Sequence, residues 1–216
     1  PGTFEAASLT GDLQVTTNAV NQADVAAAVI MAPSPVGELK LFSGADIAPL
    51  TIAMEDGDPG LLPGVFSDFL VGSDGRLVAG RGWVFPGVLP STTDTERRAL
   101  HNATPTHAGD DQANRIYAYG DIQNMIIATP KQTRIGAGRD IVNMMFFGQN
   151  LSEEDITRIV AGRDITATTH LVRPLIGLPD VRGPLRPALD GNAFVIGGPG
   201  SFFLEACRDA VAFLNS

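Results

Sequence analysis

The side chains best suited to chemistry in this sequence are acids, and the best candidate cluster is Asp110, Asp111 and Arg115 with His107 as partner, at the end of a polar stretch running from Ser91 to Ala113. Clustered carboxylates are what glycoside hydrolysis needs, one as acid and the other as base or nucleophile. A carboxylate-held cation beside a basic residue would instead serve β-elimination from an acidic sugar. This cluster therefore defines an enzymatic alternative, a polysaccharide lyase or hydrolase, against the commoner reading of a solvated charged loop. Glu55-Asp56-Gly57-Asp58 offers oxygens to Ca²⁺ but lacks the EF-hand continuation and the RTX nonapeptide, so a solvated turn is expected and no metal is assigned. His101, His107 and His170 follow no zinc spacing. Gly75-Arg76-Leu77-Val78-Ala79-Gly80-Arg81-Gly82 has P-loop glycine spacing without the Lys and Ser/Thr that hold phosphate and metal. No serine lies in Gly-x-Ser-x-Gly, and the single Cys207 reads better as a small buried residue than as a thiol nucleophile. No catalytic residue and no cofactor is expected.

The elements that would have to position these side chains are short. Glycine and proline make up 24 and 15 of 216 residues, whereas lysine occurs only as Lys40 and Lys131. Sustained 3.6-residue blocks of Ala, Leu, Glu and Lys are scarce. Brief Val/Ile/Leu/Phe/Thr runs broken by Gly, Asp and Asn dominate, which predicts a mostly β chain with many tight turns. At 44% hydrophobic residues the chain can bury a sizeable core. Its net charge of −9 argues against nucleic acid or an anionic membrane as partner. The longest apolar run, Val25 to Ala32, is too short to span a bilayer. The opening Pro1-Gly2-Thr3-Phe4 suggests a piece of something longer.

One word recurs: Gly, an optional residue, Asp, then an aliphatic. It appears at Gly11-Asp12-Leu13, Gly44-Ala45-Asp46-Ile47 and Gly120-Asp121-Ile122. It returns as Ala137-Gly138-Arg139-Asp140-Ile141 and identically as Ala161-Gly162-Arg163-Asp164-Ile165, with a degenerate copy at Ala206-Cys207-Arg208-Asp209-Ala210. Successive Asp residues are 34, 75, 19, 24 and 45 apart. Steps of 19 and 24 match one circuit of a parallel β-solenoid, 45 fits two, and 75 leaves room for inserted loops. Gly would take a positive φ at each corner, Asp would accept backbone N–H groups there, and the aliphatic would open the next inward strand position. Ile141 and Ile165 should then stack in one aliphatic ladder. Arg139 would lie over Arg163, with Asp140 and Asp164 interleaved to relieve the repulsion. The whole of 1–216 reads as one solenoid segment with loop excursions near 53–113 and 173–190, including a short helix near Thr93–His101.

Local signals compete with the repeat in two places. Leu151-Ser152-Glu153-Glu154-Asp155-Ile156 resembles a helix start, but the repeat phase favours a turn at Ser152–Asp155 followed by a strand. Phe203, Ala206, Cys207, Ala210, Val211 and Leu214 form a helical stripe, while the repeat favours a strand over Phe202–Ala206 with Cys207 at the glycine corner, at a positive-φ cost of about 1 kcal/mol.

The repeated Ala-Gly-Arg-Asp-Ile words resemble filamentous haemagglutinin-like exoproteins of bacterial two-partner secretion. So do Leu39-Lys40-Leu41-Phe42-Ser43-Gly44-Ala45-Asp46-Ile47 and Ile116-Tyr117-Ala118-Tyr119-Gly120-Asp121-Ile122. The order Gly197-Gly198-Pro199-Gly200 then Phe202-Phe203-Leu204-Glu205-Ala206 is similar to a region of such proteins, and the likeness runs from about Leu9 to Leu214. The resemblance implies an all-β right-handed parallel β-helix with inserted loops and room for one or two short helices. It also implies a secreted, cell-surface adhesin or fibrous stalk, and it carries no catalytic residues. Expected partners are neighbouring segments of a larger exoprotein, an outer-membrane transporter during secretion, a host or cell-surface receptor or glycan, and further copies of the chain itself.

Overall fold

Five-residue runs such as Asn114–Ala118 alternate buried and exposed side chains, the period-two pattern of a strand with one face toward a core. A computed structural model describes residues 2–14, 28–31, 33–54, 104–167 and 193–210. Within these, every regular element is a β-strand: β1 (Phe4–Ser8), β2 (Ala28–Met31), β3 (Leu39–Ser43), β4 (Leu50–Met54), β5 (Asn114–Ala118), β6 (Ile122–Thr129), β7 (Thr133–Ala137), β8 (Ile141–Gln149), β9 (Ile156–Ala161), β10 (Ile165–Thr166), β11 (Ala193–Gly197) and β12 (Ser201–Ala206). The helix expected near Thr93–His101, the acidic turn at Glu55–Asp58 and most of both loop excursions lie outside the described residues.

The strands form two sheets in which every neighbour is parallel. One runs β1-β3-β5-β7-β9-β12 and the other β10-β8-β6-β4-β2, with β11 also on β8. The chain thus alternates between sheets, and each Gly-x-Asp word lies on the passage from the first to the second. Two excursions interrupt this regularity. β10 and β11 both pair with β8, at Ile165↔Ile141 and Ala193↔Met145, so the later excursion falls between two short strands on one edge.

The core consists of columns of like residues. Leu41, Ile116, Ile135 and Ile159 are in register across the first sheet, and Ile52, Ile127, Phe146 and Phe194 across the second. All eight are buried in one cluster. Between them stands the aliphatic column that follows each Asp: Leu13, Ile47, Ile122, Ile141, Ile165 and Ala210. Burying an Ile side chain contributes roughly 1.5–3 kcal/mol, so these columns dominate what favours the stacked arrangement.

Both ambiguous segments contain strands, Ile156–Ala161 and Ser201–Ala206, while Val211 and Leu214 lie outside the described residues. Residues Ser152–Asp155 form a turn: the Asp155 carboxylate accepts the N–H groups of Leu151 (2.7 Å) and Ser152 (3.0 Å). Ile156 then donates its N–H to Gln132 Oε1 and the chain joins β7 and β12. At Ser201–Ala206 the pairing with β9 likewise overrides the helical stripe, because six register pairs with β9 satisfy the backbone that an isolated helix would otherwise have to.

Candidate functional site

Each turn word follows a strand of the first sheet, so parallel register brings the words into a column. Within it, the Asp carboxylate accepts the backbone N–H of the Asp in the next word. Asp46 N–H reaches Asp12 Oδ1 (3.1 Å), Asp121 reaches Asp46 (2.7 Å) and Asp140 reaches Asp121 (2.9 Å). Asp164 reaches Asp140 (3.1 Å) and Asp209 reaches Asp164 (3.2 Å). Running the other way, the N–H of Ile47, Ile122, Ile141 and Ile165 donates to the carbonyl of the following Asp at 2.8–2.9 Å. Every Asp thus belongs to two words at once. The step of 45 residues from Asp164 to Asp209 is a single step of this column, not two circuits, because 168–192 is inserted between β10 and β11.

The arginines of the later words reach back to the preceding acid. Arg163 holds Asp140 with two bonds, Nε to Oδ1 at 3.0 Å and Nη2 to Oδ2 at 2.6 Å. Arg208 holds Asp164 in the same fork, at 3.1 and 2.5 Å. Arg139 contacts Asp121 at 3.2 Å and extends past it to Asp46 at 2.8 Å. Gly120 lets Arg139 pass, since a Cβ there would strike Asp46 Oδ1 and crowd the guanidinium. Arg139 lies over Arg163 as expected, but each is satisfied by acids of earlier words. Bonding to Asp46 and the nearby Asp121 charge push the Arg139 pKa up. At Asp164 desolvation acts upward, and the Asp209 N–H and Arg208 outweigh it, so its carboxyl titrates below the usual range.

The glycines serve this column for a reason other than the one expected. Gly44, Gly120, Gly138 and Gly162 do not have positive φ; among the described glycines only Gly109 and Gly198 do. A Cβ on Gly44 would collide with the carbonyl of Leu9, on Gly138 with that of Tyr119, and on Gly162 with that of Gly138. Close approach between successive words, not backbone handedness, selects glycine. Gly11 meets only Ser8 Oγ at ordinary contact. Cys207 also avoids positive φ, against expectation, and carries its Cβ at a cost in distance: its N–H to Ala161 O is 3.3 Å, where Gly138 and Gly162 make the corresponding bonds at 2.9 Å. It is exposed rather than buried.

The acidic cluster is brought together only in part. His107 Nδ1 lies 3.0 Å from Asp110 Oδ2, and both side chains are nearly excluded from solvent. Asp111 instead accepts from the Gln112 side chain on the surface, and Arg115 points outward from β5. The member that was not foreseen is Lys131, buried in the β6–β7 turn, whose Nζ binds Asp110 Oδ2 and donates to Gly37 O at 3.2 Å. Burial pushes the Asp110 carboxyl up, but bonds from Lys131, His107 and the Gln112 N–H outweigh it and leave it below its ordinary 3.8. Lys131 therefore ties the segments before β3 and β5 to the turn before β7. The scarcity of lysine was the one sequence signal pointing to it.

Two further polar features also escaped the sequence reading. Asn124 (φ 52°) and Asn143 (φ 54°) bend β6 and β8 at equivalent positions, and Asn143 Nδ2 donates to Asn124 Oδ1 at 3.1 Å. Asn is the non-glycine residue that best tolerates this region. Inside, Asn114 accepts Leu39 N–H at 2.9 Å and donates to Thr129 Oγ1 at 2.8 Å. Thr157 Oγ1 accepts Thr133 N–H and donates to Asn150. Among the described residues no group of three or more His, Cys, Asp and Glu side chains is placed to hold a metal ion, and no helix is long and apolar enough to cross a membrane.

Compared with known proteins, the chain matches no family model, no curated protein and no solved structure.

Proposed function

We propose that this chain is a non-catalytic structural or adhesive segment of a secreted bacterial surface protein, folded as a right-handed parallel β-helix that serves as a rigid stalk. The observation that carries the proposal is the column Asp12–Asp46–Asp121–Asp140–Asp164–Asp209, in which each acid joins two successive turn words although the chain between them varies from 19 to 75 residues. Such a column favours a quasi-one-dimensional stack in which each added circuit contributes one layer of aliphatics and one set of backbone bonds. The alternation of strands between two parallel sheets supports the same reading. Loops inserted between circuits would then decorate the rod without breaking it. The resemblance of the turn words to two-partner secretion exoproteins supports export through an outer-membrane partner.

The test is to join the chain to a two-partner secretion domain and co-express the matching transporter. Surface delivery of a protease-resistant product, elongated in solution scattering, is the expected result; a globular or retained product overturns the reading. Its catalytic rival is a carbohydrate-active enzyme on the same fold. Turnover of an acidic polysaccharide that is lost in the Asp110→Asn, Asp111→Asn double variant would establish that rival.

A further inference from the structure

The outward face of the first sheet carries a second charged column, of opposite sign and differently treated. Lys40, Arg115, Arg134 and Arg158 are register partners on β3, β5, β7 and β9, so four cations stack at the strand spacing of about 4.8 Å. Like charges directly opposite one another across strands are destabilising. The two ends of the column are compensated: Lys40 pairs with Glu38 at 2.5 Å and Arg158 with Glu205 at 2.6 Å. The two central members, Arg115 and Arg134, are exposed and make no ion pair among the described residues. In the turn column the same chain gives each stacked arginine an acid.

Beside the unpaired arginines lies an aromatic platform. Phe42 and Tyr117 stack with ring centroids 5.9 Å apart and planes 12° from parallel, and each stays about two-fifths exposed at 40% and 43%. Tyr117 leans over Gly136, where a Cβ would stand 3.1 Å from Tyr117 Cδ2, so the missing side chain leaves the ring room. A repeated planar cation next to a partly exposed aromatic pair fits a polymer that presents a planar anion and an apolar ring face in each unit.

We propose that this face binds a linear polyuronate, running across the strands with its carboxylates on Arg115 and Arg134 and a sugar ring on the Phe42–Tyr117 platform. The guanidinium fork matches a carboxylate with two parallel bonds, which a repeated uronic acid supplies once per sugar. The inference rests on the stalk reading only for the role such a ligand would play; its geometry needs the first sheet alone.

The experiment is calorimetric titration of the whole chain with polygalacturonate oligomers, with neutral dextran and dextran sulfate in parallel. Expected are saturable binding to polygalacturonate, none to dextran, and affinity about tenfold or more weaker in the Arg115→Gln, Arg134→Gln double variant. That variant should fold as well as the parent or better, because it removes like-charge stacking. Tyr117→Ala should weaken binding without changing its salt dependence, since no charge is removed. Absence of binding by the folded parent, or binding unaffected by the double substitution, overturns the proposal. Equal affinity for dextran sulfate overturns it too, because it marks an unselective polyanion surface. Each of these results leaves an elongated, secreted rod untouched, so the two readings fail separately.

Discussion

Asp164 donates its backbone N–H to the carboxylate of Asp140 across 24 residues of chain, and the neighbouring Arg163 grips the same carboxylate with two bonds. One side chain therefore holds both the backbone and the charge of the next word. Asp12, at one end of the column, holds only the N–H of Asp46 among the described residues.

Asp140→Ala should accordingly destabilise the chain more than Asp12→Ala. Losing a carboxylate that accepts a backbone N–H costs about 1–2 kcal/mol, toward the upper end for the partly buried bond at Asp140 and the lower for the exposed one at Asp12, and the half-exposed Arg163 adds a little more after solvent screening. Urea unfolding followed by circular dichroism should show the larger midpoint shift for Asp140→Ala. Equal shifts would mean the column is not a set of independent links.

Glycine in the turn words is a spacing requirement. Gly162→Ala, which forces a Cβ onto the Gly138 carbonyl, should cost about 2 kcal/mol or more through separation of two words. Cys207→Gly should be close to neutral, the shorter bond to Ala161 offsetting the greater freedom of glycine in the unfolded chain. Thermal unfolding of the two variants separates this account from one based on backbone handedness, which would make Cys207→Gly clearly stabilising.

The buried pair of Lys131 and Asp110 is asymmetric under mutation. Lys131→Met leaves a largely buried carboxylate without its cation and should cost about 3–5 kcal/mol. The Lys131→Met, Asp110→Leu double variant should regain part of that loss, because the buried charge goes with its cation while His107 and the Gln112 N–H lose their acceptor. A double-mutant cycle on unfolding free energy reads the difference directly.

Acid should reveal the same pair. Because the folded state holds the Asp110 carboxyl below its ordinary 3.8, it favours the ionised form. The resulting stability is complete above that value and is lost as pH falls through the lower folded value. Unfolding titrations below pH 4 should show an acid-dependent loss in the parent that is reduced in Asp110→Asn, while near neutrality the slopes should coincide.

Much of the β architecture was legible in the residues. Identical Ala-Gly-Arg-Asp-Ile words 24 residues apart announced that Ile141 and Ile165 would share one column, and they are direct register partners. The strand at Ser201–Ala206 was legible from repeat phase against a strong helical stripe. The candidate acidic cluster was legible only as proximity in sequence. Arg115 alternates to the opposite face of β5 from its buried neighbours Asn114 and Ile116, so it could not join His107 and Asp110.

What the sequence determined by itself was the local grammar: aliphatics at alternate positions, an acid at every passage from the first sheet to the second, and a small residue one or two positions before it. Those are properties of adjacent residues and of hydrophobic burial, which need no distant partner to be read. Only the tertiary structure decided that 45 residues make one step, that glycine is demanded by the carbonyl of the preceding word, and that Lys131 lies beside Asp110. Each of these depends on which atoms of remote chain face one another once the inserted loops are set aside, and loop length places almost no energetic constraint on that choice.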